Sequence, residues 1–90
     1  MSTRVHLNTI LSQYAGGQLE ADVDGNTIGQ CLEQLVKKYP RLKKALFDDE
    51  GQLLNIIEVY INSESAYPDE LARPVKPGDE LHILFAVDGG

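Results

Sequence analysis

At 90 residues the chain is long enough for one domain and too short for two. Apolar residues make up 42% of it, which allows a single core with little margin. The net charge of −6, from fourteen acids against eight bases, argues against duplex DNA or an anionic membrane as partner, since both attract basic surfaces.

The single cysteine, Cys31, excludes an internal disulfide and a thiolate metal cluster, and points to an intracellular, cytoplasmic protein. No apolar run approaches the ~20 residues needed to span a bilayer, and "MSTRVHLNTI" lacks the apolar stretch of a signal peptide. The bases cluster at Lys37, Lys38, Arg41, Lys43 and Lys44, a pattern that suits a solvated helix end, with a docking patch as the lesser reading.

In chain order, "TRVHL" (Thr3 to Leu7) alternates as a strand does, with Val5 and Leu7 on one face and His6 on the other. A loop is expected next, ending in Gly16 and Gly17. "QLEADV" (Gln18 to Val23) alternates again, with Leu19, Ala21 and Val23 inward, so the two strands form a hairpin. "DGNTIGQCLEQLVKKYP" carries the clearest helix, capped by Asn26 or Thr27. Its Ile28, Cys31, Leu32, Leu35, Val36 and Tyr39 make one stripe. Pro40 ends it or opens a short turn in "RLKKALF". "DDEGQ" reads as an exposed loop.

"IIEVYIN" (Ile56 to Asn62) is a third strand, with Ile57, Val59 and Ile61 on the core face and Ile56, Glu58 and Tyr60 on the other. Residues 63–76 read as irregular, with room for one short strand. "KPGDE" is a turn, Pro77 presetting the backbone and Gly78 tolerating positive φ. "LHILF" (Leu81 to Phe85) is the last strand. A helix covering one face of a mixed sheet makes this an α+β fold. If the first and last strands pair in parallel, it is a β-grasp of the ubiquitin type, with four to five strands on one main helix.

The sequence closes on "LHILFAVDGG". Residues 1–90 are expected to form one domain with residues 86–90 as a flexible tail. A terminal carboxylate on two residues without Cβ is carried by a backbone that can thread a narrow channel. A carboxylate is a poor electrophile until ATP converts it to an acyl-adenylate. A sulfur donor then leaves a thiocarboxylate, and an amine leaves an isopeptide bond.

"LFDDEGQLLNIIEVYINSES" and "VKPGDELHILFAVDGG", with the "DGNTIGQCLEQL" helix, resemble the MoaD/ThiS family of ubiquitin-like sulfur carriers over nearly the whole chain. The "VYIN" strand, the "PGDE" turn and the final Gly-Gly are specific in combination. The resemblance implies a β-grasp whose Gly90, preceded by Gly89, is adenylated and then thiocarboxylated. The ATP is used by a ubiquitin-activating-type adenylyltransferase (MoeB/ThiF-like), and the carrier binds no cofactor of its own. Sulfur would pass to molybdopterin, to thiazole for thiamin, or to an activated precursor of cysteine. A molybdopterin synthase large subunit or another sulfur-accepting synthase would be the second partner. Two departures stand out: Asp88 replaces a small neutral residue common beside the tail, and "YPDELARPV" lacks glycines usual there. The chain also exceeds the usual length of the thiazole branch, which favours the molybdopterin and cysteine branches.

Alternation along the last strand puts Leu84 and His82 on the solvent face, beside Tyr60 and Ile56 if the third strand is a neighbour. With Phe85 and Val87 these residues make a partner-docking patch near the tail. Cys31 lies on the apolar stripe and reads as core rather than as a nucleophile or persulfide site. His6 and His82, lacking a positioned carboxylate or third ligand, read as surface residues, and no metal site is expected. Asp48, Asp49 and Glu50 lack calcium-loop spacing, and Gly16-Gly17 and Gly25 lack phosphate-loop spacing. The leading function is thus a sulfur carrier. A protein modifier joined to lysines through the same tail is the alternative, a plain binding module comes third, and an independent enzyme last.

Overall fold

The structure, a computed structural model, describes residues 2–85. The expected tail of residues 86–90, with Val87, Asp88, Gly89 and Gly90, lies outside those residues. Five strands form one mixed sheet: β1 (Thr3–Leu7), β2 (Glu20–Val23), β3 (Ile57–Ile61), β4 (Glu64–Ser65) and β5 (Glu80–Phe85), in the order β2-β1-β5-β3-β4. β1 and β5 pair in parallel, and the other neighbours are antiparallel. The parallel centre is possible because helix α2 (Ile28–Lys38) lies on the crossover between β2 and β3 and covers one face.

Thr27 caps α2, its hydroxyl accepting from the Gln30 backbone N–H at 3.1 Å. The Gln30 side chain reaches back to the Asn26 N–H at 2.7 Å, as in a capping box displaced by one residue. Ile28, Cys31, Leu32 and Leu35 are fully buried and join Val5, Val59, Leu81 and Ile83 in one core cluster. Val36 and Tyr39 are partly buried at its border. Gly29 lets α2 approach the 3-10 turn Glu70–Ala72: a Cβ there would stand 2.9 Å from the Leu71 carbonyl oxygen.

The chain departs from its sequence pattern in three places. The expected loop after β1 contains a helical turn, α1 (Thr9–Ser12), followed by a 3-10 turn Gln13–Ala15. The Asn8 side chain caps α1 by accepting from the Leu11 N–H at 2.7 Å, and Leu11 and Ala15 enter the core four residues apart. Leu19, expected inward, is instead 52% exposed. The regular strand begins only at Glu20, and the Leu19 carbonyl accepts from the Leu7 N–H of β1 at 2.8 Å. Leu11 and Ala15 supply the apolar side chains at that end. A third helix, α3 (Leu42–Leu46), forms in "RLKKALF" and buries Leu42 and Leu46. The basic run is thereby divided between the last turns of α2 and α3.

Candidate functional site

β5 lies at the centre of the sheet and runs toward residues 86–90. Its side chains alternate: Leu81 and Ile83 are fully buried under the helix, and His82 and Leu84 are half-buried on the opposite, uncovered face. Pairing with β3 sets Tyr60 opposite His82 and Glu58 opposite Leu84. Tyr60, His82 and Leu84 therefore share one face, with Ile56, 52% exposed, just before β3. Phe85 belongs to the other side. It pairs with buried Ile57 and packs against the core, because the two-residue period of a strand groups it with Leu81 and Ile83. This separates Phe85 from the other described members of the proposed docking patch.

The register of β5 is locked by two polar residues that the sequence pattern alone left without a role. Asn62, at the end of β3 with φ 49°, donates from Nδ2 to Asp79 Oδ1 at 2.9 Å. Its Oδ1 accepts from the Glu80 N–H at 3.0 Å, and its N–H donates to the Glu80 carbonyl at 2.9 Å. Asp79 Oδ2 accepts from the Lys76 N–H at 2.8 Å, closing the turn in which Gly78 takes φ 93°. The Asn62 amide and the Lys76 N–H hold the Asp79 carboxyl below its ordinary value. The "VYIN" and "PGDE" segments are thus two halves of one clamp, which fixes how β5 enters the sheet and where it points.

The start of β5 has a different character. Across β2, β1, β5 and β3, register aligns Glu20, His6, His82 and Tyr60 in one row. The His6 and His82 rings stack at 4.3 Å between centroids and 9° between planes. His6 Nε2 lies 2.8 Å from Glu80 Oε1, and Nδ1 lies 3.7 Å from Glu20 Oε2. Arg4 pairs with Asp22 at 3.2 Å and Glu20 at 3.5 Å. The sequence pattern alone places the two histidines as surface residues. The parallel β1–β5 register, which local periodicity does not encode, brings them together beside a carboxylate.

The other weighed residues take structural places. Cys31 is fully buried, and burial pushes its thiol above the ordinary value, so it is held as a neutral core group rather than a nucleophilic thiolate. Asp48 Oδ1 accepts from the Glu50 N–H at 2.8 Å and the Gln52 N–H at 3.0 Å, so that carboxylate closes its own turn.

The sequence pattern of the ThiS family matches residues 5–90. The chain belongs to the ThiS family. A ThiS-family relationship accounts for the β-grasp topology, and the solved relatives share it throughout. The sulfur carrier protein CysO of Mycobacterium tuberculosis is 32% identical over 93 residues, covering 100% of both chains. Small archaeal modifier protein 1 of Haloferax volcanii is 38% identical over 82 residues, covering 89% of this chain and 91% of its own. Its crystal structure superposes with a TM-score of 0.82, covering 100% of both chains at 36% identity. A chain of the Amycolatopsis orientalis BexX/CysO complex gives a TM-score of 0.87 at 32% identity, covering 98% of this chain and 99% of that one. The fold is the ubiquitin-like β-grasp. Among the described residues no helix is long and apolar enough to cross a membrane.

Proposed function

We propose that this protein is a sulfur carrier, a substrate and carrier of other enzymes rather than an enzyme itself. The observation that carries the reading is the full-length relationship to a sulfur carrier protein, with a family match that extends through Gly89 and Gly90. The Gly90 carboxylate attacks the α-phosphorus of ATP on a ubiquitin-activating-type adenylyltransferase. Pyrophosphate leaves and the carboxylate becomes a mixed anhydride with AMP. A sulfur donor displaces AMP and leaves a thiocarboxylate, which a sulfur-accepting synthase consumes in making cysteine or a cofactor such as molybdopterin or thiamin. The chain holds no cofactor in this cycle, and ATP belongs to the partner, in the cytoplasm.

The folded part contributes recognition. Leu84, Tyr60 and His82 offer the activating partner an apolar and aromatic surface on the uncovered face, and the Asn62–Asp79 clamp aims β5 into the partner's site. Solution of a CysO chain in complex with another protein, BexX, supports docking by a fold of this kind. Val87, Gly89 and Gly90 would enter the partner, the glycines passing where a side chain would not. A second reading is favoured by the 38% identity to an archaeal modifier protein: the same adenylate, attacked by a lysine amine, gives an isopeptide bond.

Intact mass spectrometry of untagged protein incubated with its native activating enzyme, ATP and a sulfur source tests the proposal. A gain equal to sulfur minus oxygen is expected, and it should vanish on deletion of Gly90. Unchanged mass with active partners would overturn the carrier reading. Lysine conjugates lost on the same deletion would establish the modifier.

A further inference from the structure

We propose that His6, His82 and Glu80 form a binding site for a divalent zinc-type transition-metal cation on the uncovered face of the sheet. One ligand atom from each of the three lies within 4.8 Å of the others. Imidazole nitrogens select zinc, nickel, cobalt or copper over magnesium and calcium, which prefer all-oxygen shells. The backbone supplies the convergence: His6 and His82 are direct partners in the parallel β1–β5 ladder, and Glu80 shares a face with His82 two residues along the same strand.

The contacts already present fit an ion. His6 Nε2 and Glu80 Oε1, 2.8 Å apart, share a hydrogen that a metal would replace as the link between them. The other ring nitrogen of His6 faces Glu20 Oε2 at 3.7 Å. A slight approach would give the carboxylate–histidine–metal arrangement that fixes a ligating ring's tautomer and strengthens it as a donor. Arg4 is the nearby cation, and it is paired with Asp22 and Glu20. Counting Glu20, Asp22 and Glu80 against Arg4, with neutral imidazoles, leaves a local charge of −2 for a dication to neutralise.

The stack must open on binding. Rings 9° from parallel cannot both aim a nitrogen lone pair at one point. Two nitrogens on a tetrahedral zinc stand roughly 3.4 Å apart, given bonds of about 2.0–2.1 Å. One imidazole therefore has to rotate out of the stack, which is open to it because both rings are only partly buried on the face opposite α2. Three protein ligands leave a fourth tetrahedral position for water or for a side chain of a docked partner.

Isothermal titration of untagged full-length protein with zinc, at about pH 7.5 because metal binding competes with protons for its ligands, should show saturation at one equivalent. His6→Ala and His82→Ala should each weaken binding at least about tenfold and Glu80→Gln about three- to tenfold, with the ring NMR signals of both histidines moving together. Cobalt added to the unmutated chain should give the visible absorption of a four-coordinate site, a readout that needs no variant to fold. Deletion of Gly90 should leave metal affinity unchanged, which separates this site from the carrier reading. Absence of saturable zinc binding below millimolar concentration would overturn the proposal. So would unchanged affinity in either histidine variant, or a purely octahedral cobalt spectrum.

Discussion

The two faces of β5 are made from alternate residues of one strand, yet they differ in burial. Leu81 and Ile83 on the inner face are fully buried, each contributing about 1.5–3 kcal/mol through burial. His82 and Leu84, interleaved with them, lie half-open to solvent beside Tyr60. For a domain of this size, total stability is on the order of 5–15 kcal/mol, so the inner residues are indispensable to the fold. The outer ones, being only partly buried, should matter less to it. Their apolar and aromatic character suits the docking surface proposed above.

The largest expected effect breaks the comparison if it fails. Ile83→Ala should lower stability by about 2–5 kcal/mol, read from urea unfolding, as for other buried aliphatic truncations. Leu84→Ala should lower it by less than about 1 kcal/mol. Equal losses would mean that the outer face is also part of the core. Next, Leu84→Asp should leave thermal unfolding nearly unchanged while weakening binding to the activating enzyme at least tenfold, about 1.4 kcal/mol, measured by titration calorimetry.

A smaller effect sharpens the picture on the helical side. Gly29→Ala places a Cβ against the Leu71 carbonyl, and neither backbone can yield easily. The strain, about 1–3 kcal/mol, should exceed the gain of about 1 kcal/mol in helix propensity. A thermal melt should therefore show net destabilisation, although alanine is the better helix former.

The smallest effect concerns the clamp at the start of β5. The Asp79 carboxyl is depressed in the folded protein, by the Asn62 amide first and the Lys76 N–H second. Its stabilising contribution is present above the ordinary carboxylate value of 3.8 and is lost as pH falls through the lower folded value. Asp79→Ala should lower stability at neutral pH, where that contribution is present, and change it less and less as pH falls below about 4, so that the acid limb of a stability–pH curve flattens.

Much of the fold was legible because short-range periodicity encodes it. The alternation in "TRVHL" and "LHILF" and the stripe from Ile28 to Leu35 give strands and helix directly. Helix α1 escaped because one turn carries too little periodicity, although Asn8 and the four-residue spacing of Leu11 and Ala15 are its trace. Leu19 was misplaced because alternation says nothing of where a ladder starts. The grouping of Leu84, His82 and Tyr60 followed from alternation once β3 and β5 were neighbours. The His6–His82 stack did not, because it depends on register between strands at opposite ends of the chain. The Asn62–Asp79 clamp is also non-local: each residue reads as an ordinary turn former until the two are seen to bond.

The central claim is a division of labour: the uncovered face of the folded domain binds, and Gly90 reacts. The most direct measurement is ATP–pyrophosphate exchange by the native activating enzyme, run against increasing carrier concentration. The account predicts that Leu84→Asp raises the half-saturating concentration at least tenfold while reaching nearly the full rate. It also predicts that the Gly90 deletion supports no exchange yet inhibits the intact chain competitively. If Leu84→Asp instead lowered the saturated rate with unchanged half-saturation, or the Gly90 deletion failed to compete, binding and chemistry would not be divided in this way.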